Sequence, residues 1–313
     1  MEHPILQYMP ISIARDVSTT DSRFLEALEE VRLRRDAPVC LCSGSYQGFL
    51  KKGGGITKNA GTAYFCNEKE LLDALNMVTS GSVYALAEEF RRGYITLQGG
   101  HRVGLAGRVI VEEGHVKTMR SISSLNYRIA KEVKGIGKKI LPFLVEGKRF
   151  LNTLIISPPR CGKTTLLRDL VRILSNGEGI ARPMNISLVD ERSEIAGSYL
   201  GHPQLNVGCC TDILDSAPKE EGMMMAIRSL APDILVTDEI GSLGDGRAVR
   251  EAVRCGISLL LSAHGSDMED IMGRPMIAEL MADHLFRRFV VLSAEQGPGT
   301  IHGIFDESGA SIC

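Results

Sequence analysis

Residues 151–174, LNTLIISPPRCGKTTLLRDLVRIL, decide how this chain is read. The apolar run Leu151–Ile156 stops at Ser157-Pro158-Pro159, and Gly162-Lys163-Thr164 then opens a helical run through Leu174. Strand, tight turn and helix in that order, with Gly-Lys-Thr at the helix start, form the Walker A phosphate-loop pattern. First-turn amides of a helix have no intrahelical acceptor and sit at the positive end of the helix dipole, so phosphate oxygens can accept from them. Lys163 would bring a point charge to the β- and γ-phosphates, and the Thr164 hydroxyl would bind Mg2+. The candidate nucleotide-binding residues are therefore Ser157, Pro158, Pro159, Arg160, Cys161, Gly162, Lys163, Thr164 and Thr165. The loop departs from G-x-x-x-x-G-K-[ST] at its first position. Ser157 replaces glycine there, which requires a negative φ at that residue.

Downstream, apolar strands alternate with helical runs: Asn185–Val189, helix Glu221–Leu230, Asp233–Thr237, helix Gly246–Cys255, then Ile257–Ala263. Near-continuous apolar strands in such alternation predict a parallel sheet covered on both faces, an α/β domain whose ligands gather at the carboxyl ends of the strands. Three of these ends carry polar groups suited to phosphate chemistry. Asp233–Thr237 runs into Asp238-Glu239, a Walker B pattern in which Asp238 would hold Mg2+ and Glu239 could polarise the attacking water. Asn185–Val189 runs into Asp190-Glu191-Arg192-Ser193-Glu194, whose crowded carboxylates need a cation, either Mg2+ or Arg192 itself. Ile257–Ala263 ends in His264-Gly265, where an imidazole could sense a γ-phosphate. A strand-end acid pair or a lone histidine usually belongs to a solvated loop; the phosphate loop upstream is what turns these ends into site candidates.

Upstream, the pattern is different. Ser22–Arg35 carries Phe24, Leu25, Leu28 and Val31 at helical spacing, with Leu33 off the stripe. Asn67-Glu68-Lys69-Glu70 predicts a capping box for a helix through Met77, and Val83–Arg92 predicts a second helix stopped by Gly93. Short alternating runs follow at Tyr94–Leu97, Val103–Val111, Val116–Met119 and Leu125–Ile129. Helices beside such runs predict an α+β domain with an antiparallel sheet. The glycine-punctuated, basic stretch Val133–Arg149 reads as a linker. The expected domains are thus 1–140, a smaller α+β domain with the linker at its end, and 141–313, a RecA-like P-loop domain.

Composition sets the outer limits. The chain has 313 residues, 44% hydrophobic and 24% charged, with a formal net charge of -2. That is ordinary for a globular protein and gives no general attraction to nucleic acid or anionic lipid. The run Ile257–Ala263 is far too short to cross a bilayer, and the start Met1-Glu2-His3-Pro4 lacks the layout of a signal peptide, so a cytoplasmic location is expected. None of the eight cysteines forms a C-x-x-C pair, which leaves a zinc site unsupported and reduced thiols the default. Cys40-x-Cys42 reads as two strand residues. Cys161, inside the loop, is expected to react with alkylating reagents without being catalytic.

Phosphoryl transfer also needs positive charge near the departing phosphate, commonly an arginine from a neighbouring subunit. Arg102, Arg108, Arg120 and Arg128 lie in the sheet-like N-terminal part, and Arg228 precedes the Walker B strand.

The runs VDERSEIAG, GMMMAIRSLAPDILVTDEIG and LSAHG resemble the stage III sporulation protein AA family, ATPases of endospore-forming bacteria. That family is in turn similar to the secretion-type ATPases of type II and type IV pilus machines, hexameric RecA-like motors with a separate N-terminal domain. The resemblance spans most of the chain and is strongest over Leu151–Gly265. It implies Walker A roles for Lys163 and Thr164, an acidic box in which Glu194 activates water with Glu191 as a second acid, Walker B at Asp238-Glu239 and a histidine box at His264. It makes Arg108, Arg120 and Arg128 candidates for reaching a neighbour's nucleotide. It also implies ATP and Mg2+ as cofactors, a homo-oligomer built as a hexameric ring, and integral membrane partners that dock the ATPase at a channel between mother cell and forespore. Cys209-Cys210 stands where an arginine is expected before Thr211-Asp212, so no arginine acts from that spot.

Two other functions share the same core. A nucleic-acid motor or loader would use the basic stretch Lys131–Arg149, though no nucleic acid is expected as the partner. A nucleotide-binding scaffold with little hydrolysis would suit the glycine-poor loop.

Overall fold

A computed structural model describes residues 3–44, 46–81 and 86–313. They fall into two compact units, Met1–Lys131 and Glu132–Cys313.

The first unit opens with α1 (Ile11–Ser18) and α2 (Ser22–Ala27), then β1 (Glu30–Arg34), β2 (Ala37–Pro38), β3 (Cys40–Ser43), β4 (Tyr46–Leu50), β5 (Ile56–Thr57) and β6 (Phe65–Cys66). After α3 (Glu68–Val78) and α4 (Ala87–Arg92) come β7 (Tyr94–Thr96), β8 (Arg102–Glu112) and β9 (His115–Arg128). Seven strands pair in the order β5-β4-β3-β1-β9-β8-β7, and every pairing is antiparallel. Ile13 and Val17 of α1 and Leu71 and Ala74 of α3 close a core with Val31, Leu33 and Tyr127 of the sheet. The capping box of α3 is present, with Asn67 and Glu70 satisfying each other's backbone amides. Gly93 ends α4 in the left-handed conformation at φ 78, while the start of the helix expected from Val83 lies outside the described residues.

One expectation fails here. The helical stripe of Ser22–Arg35 holds only through Ala27, and Glu30–Arg34 is a strand. Its alternation buries Val31 and Leu33 while Glu30, Arg32 and Arg34 stay half-buried. Pairing with β3 and β9 supplies both ladders, and that tertiary gain overrides a local helical pattern. Two of the expected runs, Val116–Met119 and Leu125–Ile129, fall on one long strand, β9, which ends one residue earlier, at Arg128.

The second unit carries α5 (Leu141–Leu144), β10 (Val145–Glu146), β11 (Arg149–Phe150), β12 (Thr153–Ser157), α6 (Lys163–Asn176), β13 (Ile186–Asp190) and β14 (Thr211–Asp215). It continues with α7 (Lys219–Ser229), β15 (Ile234–Thr237), α8 (Leu243–Arg254), β16 (Ser258–His264), α9 (Met268–Met272), α10 (Pro275–Ala282), β17 (Arg288–Ser293) and β18 (Thr300–Asp306). Seven strands lie in the order β14-β13-β15-β16-β12-β17-β18, parallel except for the last pair. Strands β12, β13 and β15 are buried along their whole length, as a sheet covered on both faces requires. One core lies between the sheet and α6, the other between the sheet and α7, α8 and α10. This is the α/β P-loop-like fold.

The stretch expected as a linker is part of this unit, because the chain divides at Lys131/Glu132. Ile140, Leu141 and Leu144 pack into the core with Leu170 and Ile173 of α6, and the Gly137 N–H donates to Asp169 at 2.8 Å. Two of its lysines face acids: Lys134 lies 3.2 Å from Glu132 and Lys138 3.2 Å from Glu178.

Candidate active site

Parallel pairing puts the carboxyl ends of neighbouring strands on one edge of the sheet. β12 runs between β16 and β17, with Ser157 level with His264, so the loop after β12 emerges mid-edge beside the end of β16. β15 and β13 pair in turn, which brings Asp238 and Asp190 to the same edge. The sequence motifs converge there because the sheet is parallel.

The loop 157–162 is shaped by two left-handed residues, Arg160 at φ 65 and Gly162 at φ 86. Ser157 has no positive φ, and its hydroxyl donates to the Pro158 carbonyl at 2.8 Å. Serine therefore fits at the first position without strain. Gly162 caps α6, and a Cβ on it would come within 2.7 Å of the Gly299 nitrogen. Gly299 in turn donates its N–H to the Cys161 carbonyl at 2.8 Å, so the turn before β18 braces the loop from outside the motif. Cys161 is 6% exposed, which shields the thiol expected to react with alkylating reagents.

Lys163, the first residue of α6, is 6% exposed. Its Nζ lies 3.3 Å from Asp238 Oδ1 and 3.2 Å from Glu239 Oε1. The Thr164 hydroxyl donates to Asp238 Oδ2 at 3.1 Å, and the Ser262 hydroxyl donates to Asp238 Oδ1. Glu239, left-handed at φ 57, has its backbone N–H on the Ser262 hydroxyl at 3.0 Å. The Glu239 carboxylate meets three basic groups: Lys163, His264 Nε2 at 2.9 Å and Arg192 at 2.7 Å. Burial pushes that carboxyl up, but Lys163 foremost, then Arg192 and His264, outweigh it and hold it below the usual range for glutamate.

The acidic run after β13 divides its charges among different tasks. Asp190 is 3% exposed and accepts the backbone N–H groups of Glu194, Ile195 and Ala196 at 2.9, 3.0 and 2.8 Å. Burial raises its carboxyl to about 6 despite those bonds. Arg168 of α6 donates to the Glu194 and Ile195 carbonyls, pinning the same loop from the other side. Glu191 pairs with Lys219, at the first position of α7, at 2.7 Å. Glu191, Arg192, Glu194, Lys219, Asp238 and Glu239 line one small cleft beside Lys163.

Most of the sequence-predicted residues thus meet: the loop, Lys163, Thr164, Asp238, Glu239, Glu191, Glu194 and His264. Arg228 does not. It is exposed in the last turn of α7, the opposite end from Lys219, about 13 Å along an 11-residue helix. Arg108, Arg120 and Arg128 lie in the first unit, Arg108 directly across from Arg120 on β8 and β9, and Arg128 3.5 Å from Glu30. Sequence reading missed Lys219, Ser262 and Gly299. Only Ser262 left a trace, one polar residue inside the apolar run of β16.

The residues suit Mg2+ and a triphosphate. A hydroxyl and a carboxylate oxygen are hard donors of the kind Mg2+ takes alongside phosphate oxygens. His264 Nδ1 is buried with no hydrogen-bond partner among the described residues, a polar atom available to a ligand.

Comparison with known proteins follows the same lines. The fold resembles the pilus retraction motor PilT, solved with bound ADP, with a TM-score of 0.57 at 14% identity over 86% of this chain and 75% of that one. It resembles the ATPase DotB of Legionella pneumophila with a TM-score of 0.56 at 14% identity, over 86% of this chain and 74% of that one. Identities this low speak to the fold alone. The stage III sporulation protein AA of Bacillus subtilis is 43% identical over 305 residues, 97% of this chain and 95% of that protein. With the family described as "Sporulation stage III, protein AA" matching residues 2–312, the chain belongs to the sporulation stage III protein AA family.

Proposed function

We propose that this protein is a Mg2+-dependent ATP hydrolase of the secretion-ATPase type, acting in endospore formation. The observation that carries the reading is the buried Lys163, held within 3.3 Å of both Asp238 and Glu239 while Thr164 bonds Asp238. Burying a lysine against two half-buried carboxylates is costly unless they serve one another or a ligand. The loop amides and Lys163 hold the β- and γ-phosphates, and Thr164 and Asp238 hold the cation, which supplies charge neutralisation on the phosphate oxygens. Lys163 turns to the phosphates, and the Glu239 carboxylate keeps His264 beside it. Glu239, ionised at neutral pH, then orients the attacking water, and Glu194 across the cleft is the second candidate for that task.

Membership of a sporulation family and the likeness of the fold to secretion ATPases support a wider reading. The chain works as a homo-oligomer, a ring of six, in which Arg108, Arg120, Arg128 or the outward Arg228 reaches a neighbour's nucleotide. It is cytoplasmic and sits at a mother cell–forespore membrane channel through integral partners, whose assembly or transport it energises. No described helix is long and apolar enough to cross a membrane, in keeping with attachment through partners. Two lysines of the basic stretch, Lys134 and Lys138, face Glu132 and Glu178, which lowers the charge free for a nucleic-acid motor.

The test is phosphate release by the purified full chain with Mg2+–ATP, against Lys163→Ala and against chelation of Mg2+. Multiple turnover that both treatments abolish supports the reading; equal release in all three samples removes it.

A further inference from the structure

Arg192 is the one arginine lining the cleft among the described residues, and the acidic run predicts only that it neutralises its own neighbours. The structure sends it elsewhere. Its guanidinium crosses from the loop after β13 to the end of β15 and lies 2.7 Å from Glu239 Oε2. Lys163 and His264 occupy the other oxygen of that carboxylate, at 3.2 and 2.9 Å. One carboxylate is therefore bracketed by the phosphate-loop lysine on one oxygen and by Arg192 on the other.

The loop that presents Arg192 is built to hold position. Asp190 gathers three backbone amides just beyond it, Arg168 takes two carbonyls there, and Ser193, the next residue, is left-handed at φ 54. The side chain of Arg192 nonetheless stays 59% exposed. With the guanidinium that exposed, the pair contributes little to stability, so holding the fold is a poor account of it. A guanidinium carries a planar fork of donors that fits phosphate oxygens as well as carboxylate, and moving from one to the other keeps its charge paired.

Resting on the nucleotide reading of this site, we propose that Arg192 reads the terminal phosphate in cis. It passes from Glu239 to the γ-phosphate when a triphosphate binds, and keeps Glu239 when the ligand is a diphosphate. Preference for triphosphate over diphosphate then comes from this chain's own acidic loop, and Glu239 is released from Arg192 only by a ligand that carries a γ-phosphate.

The experiment measures dissociation constants of ADP and of the βγ-imido analogue of ATP, each with Mg2+, by calorimetry on the full chain and on Arg192→Ala and Arg192→Lys. The proposal expects Arg192→Ala to weaken the triphosphate analogue tenfold or more and ADP less than twofold. Arg192→Lys restores part of the difference, because it keeps charge and loses the fork. A parallel loss for both ligands, or no loss for either, overturns the proposal while the nucleotide reading stands. A parent protein that binds neither ligand overturns both.

Discussion

Lys163 and Glu239 stand 3.2 Å apart, the lysine 6% exposed, although 76 positions of sequence separate the start of α6 from the end of β15. A strand-end glutamate held by a lysine, an arginine and a histidine is ionised and fixed in direction before any ligand arrives. Replacing it by glutamine keeps the shape and removes the charge. Glu239→Gln is expected to bind Mg2+–ATP within about threefold of the parent and to lose roughly a hundredfold or more in turnover, within the usual worth of general-base catalysis. Phosphate release and calorimetry on one preparation check this. An equal loss in Glu194→Gln with Glu239→Gln unchanged would give the role to the acidic run.

Asp238 and Thr164 share one hydrogen bond at 3.1 Å, and the account makes that pair the seat of the cation. Asp238→Asn is expected to raise the Mg2+ concentration for half-maximal turnover at least tenfold, with affinity for Mg2+-free ADP nearly unchanged. A titration of turnover against Mg2+ reads the effect directly.

Gly162 and Gly299 touch where neither can carry a side chain. A Cβ on Gly162 meets the Gly299 nitrogen at 2.7 Å, and φ 86 disfavours any L-residue. Gly162→Ala is expected to cost roughly 1–3 kcal/mol in stability, the range for strain at a special backbone position, and to abolish nucleotide binding. Denaturant unfolding gives the first number. An alanine variant that unfolds like the parent would mean the loop is not braced.

Asp190 carries a prediction about pH. Its folded value of about 6 lies above the ordinary 3.8, so the stabilisation is fully present below pH 3.8 and is lost as pH rises through about 6. Asp190→Asn cannot titrate and sets an amide against three backbone donors. The stability advantage of the parent over this variant is expected to shrink between pH 4 and pH 7, by something on the order of 2–3 kcal/mol. Unfolding curves at several pH values follow it; an advantage that grows with pH would reverse the sign of the argument.

The edge of the second sheet was readable because fully buried parallel strands leave unbroken apolar runs, and each such run here ends in the group that matters. Thr211–Asp215 and the pair β17–β18 were not read. The first is an outer strand whose residues are half-buried or exposed, so its apolar content is thin. The roles of the acidic run were hidden for a different reason. Asp190 spends its charge on backbone amides, Glu191 on Lys219, and Arg192 on a residue 47 positions away, none of which spacing can reveal. The helix expected over Ser22–Arg35 shows the same limit, since Val31 fits both a helical stripe and the alternation that β3 and β9 select.

The central claim is that Lys163 and the Asp238 carboxylate hold a triphosphate and its cation between them. Calorimetric titration of Mg2+–ATP into the full chain and into Lys163→Ala tests it most directly. The account predicts a saturable heat near one site per chain for the parent and none for the variant. The same heat in both, or no heat in the parent, would contradict it.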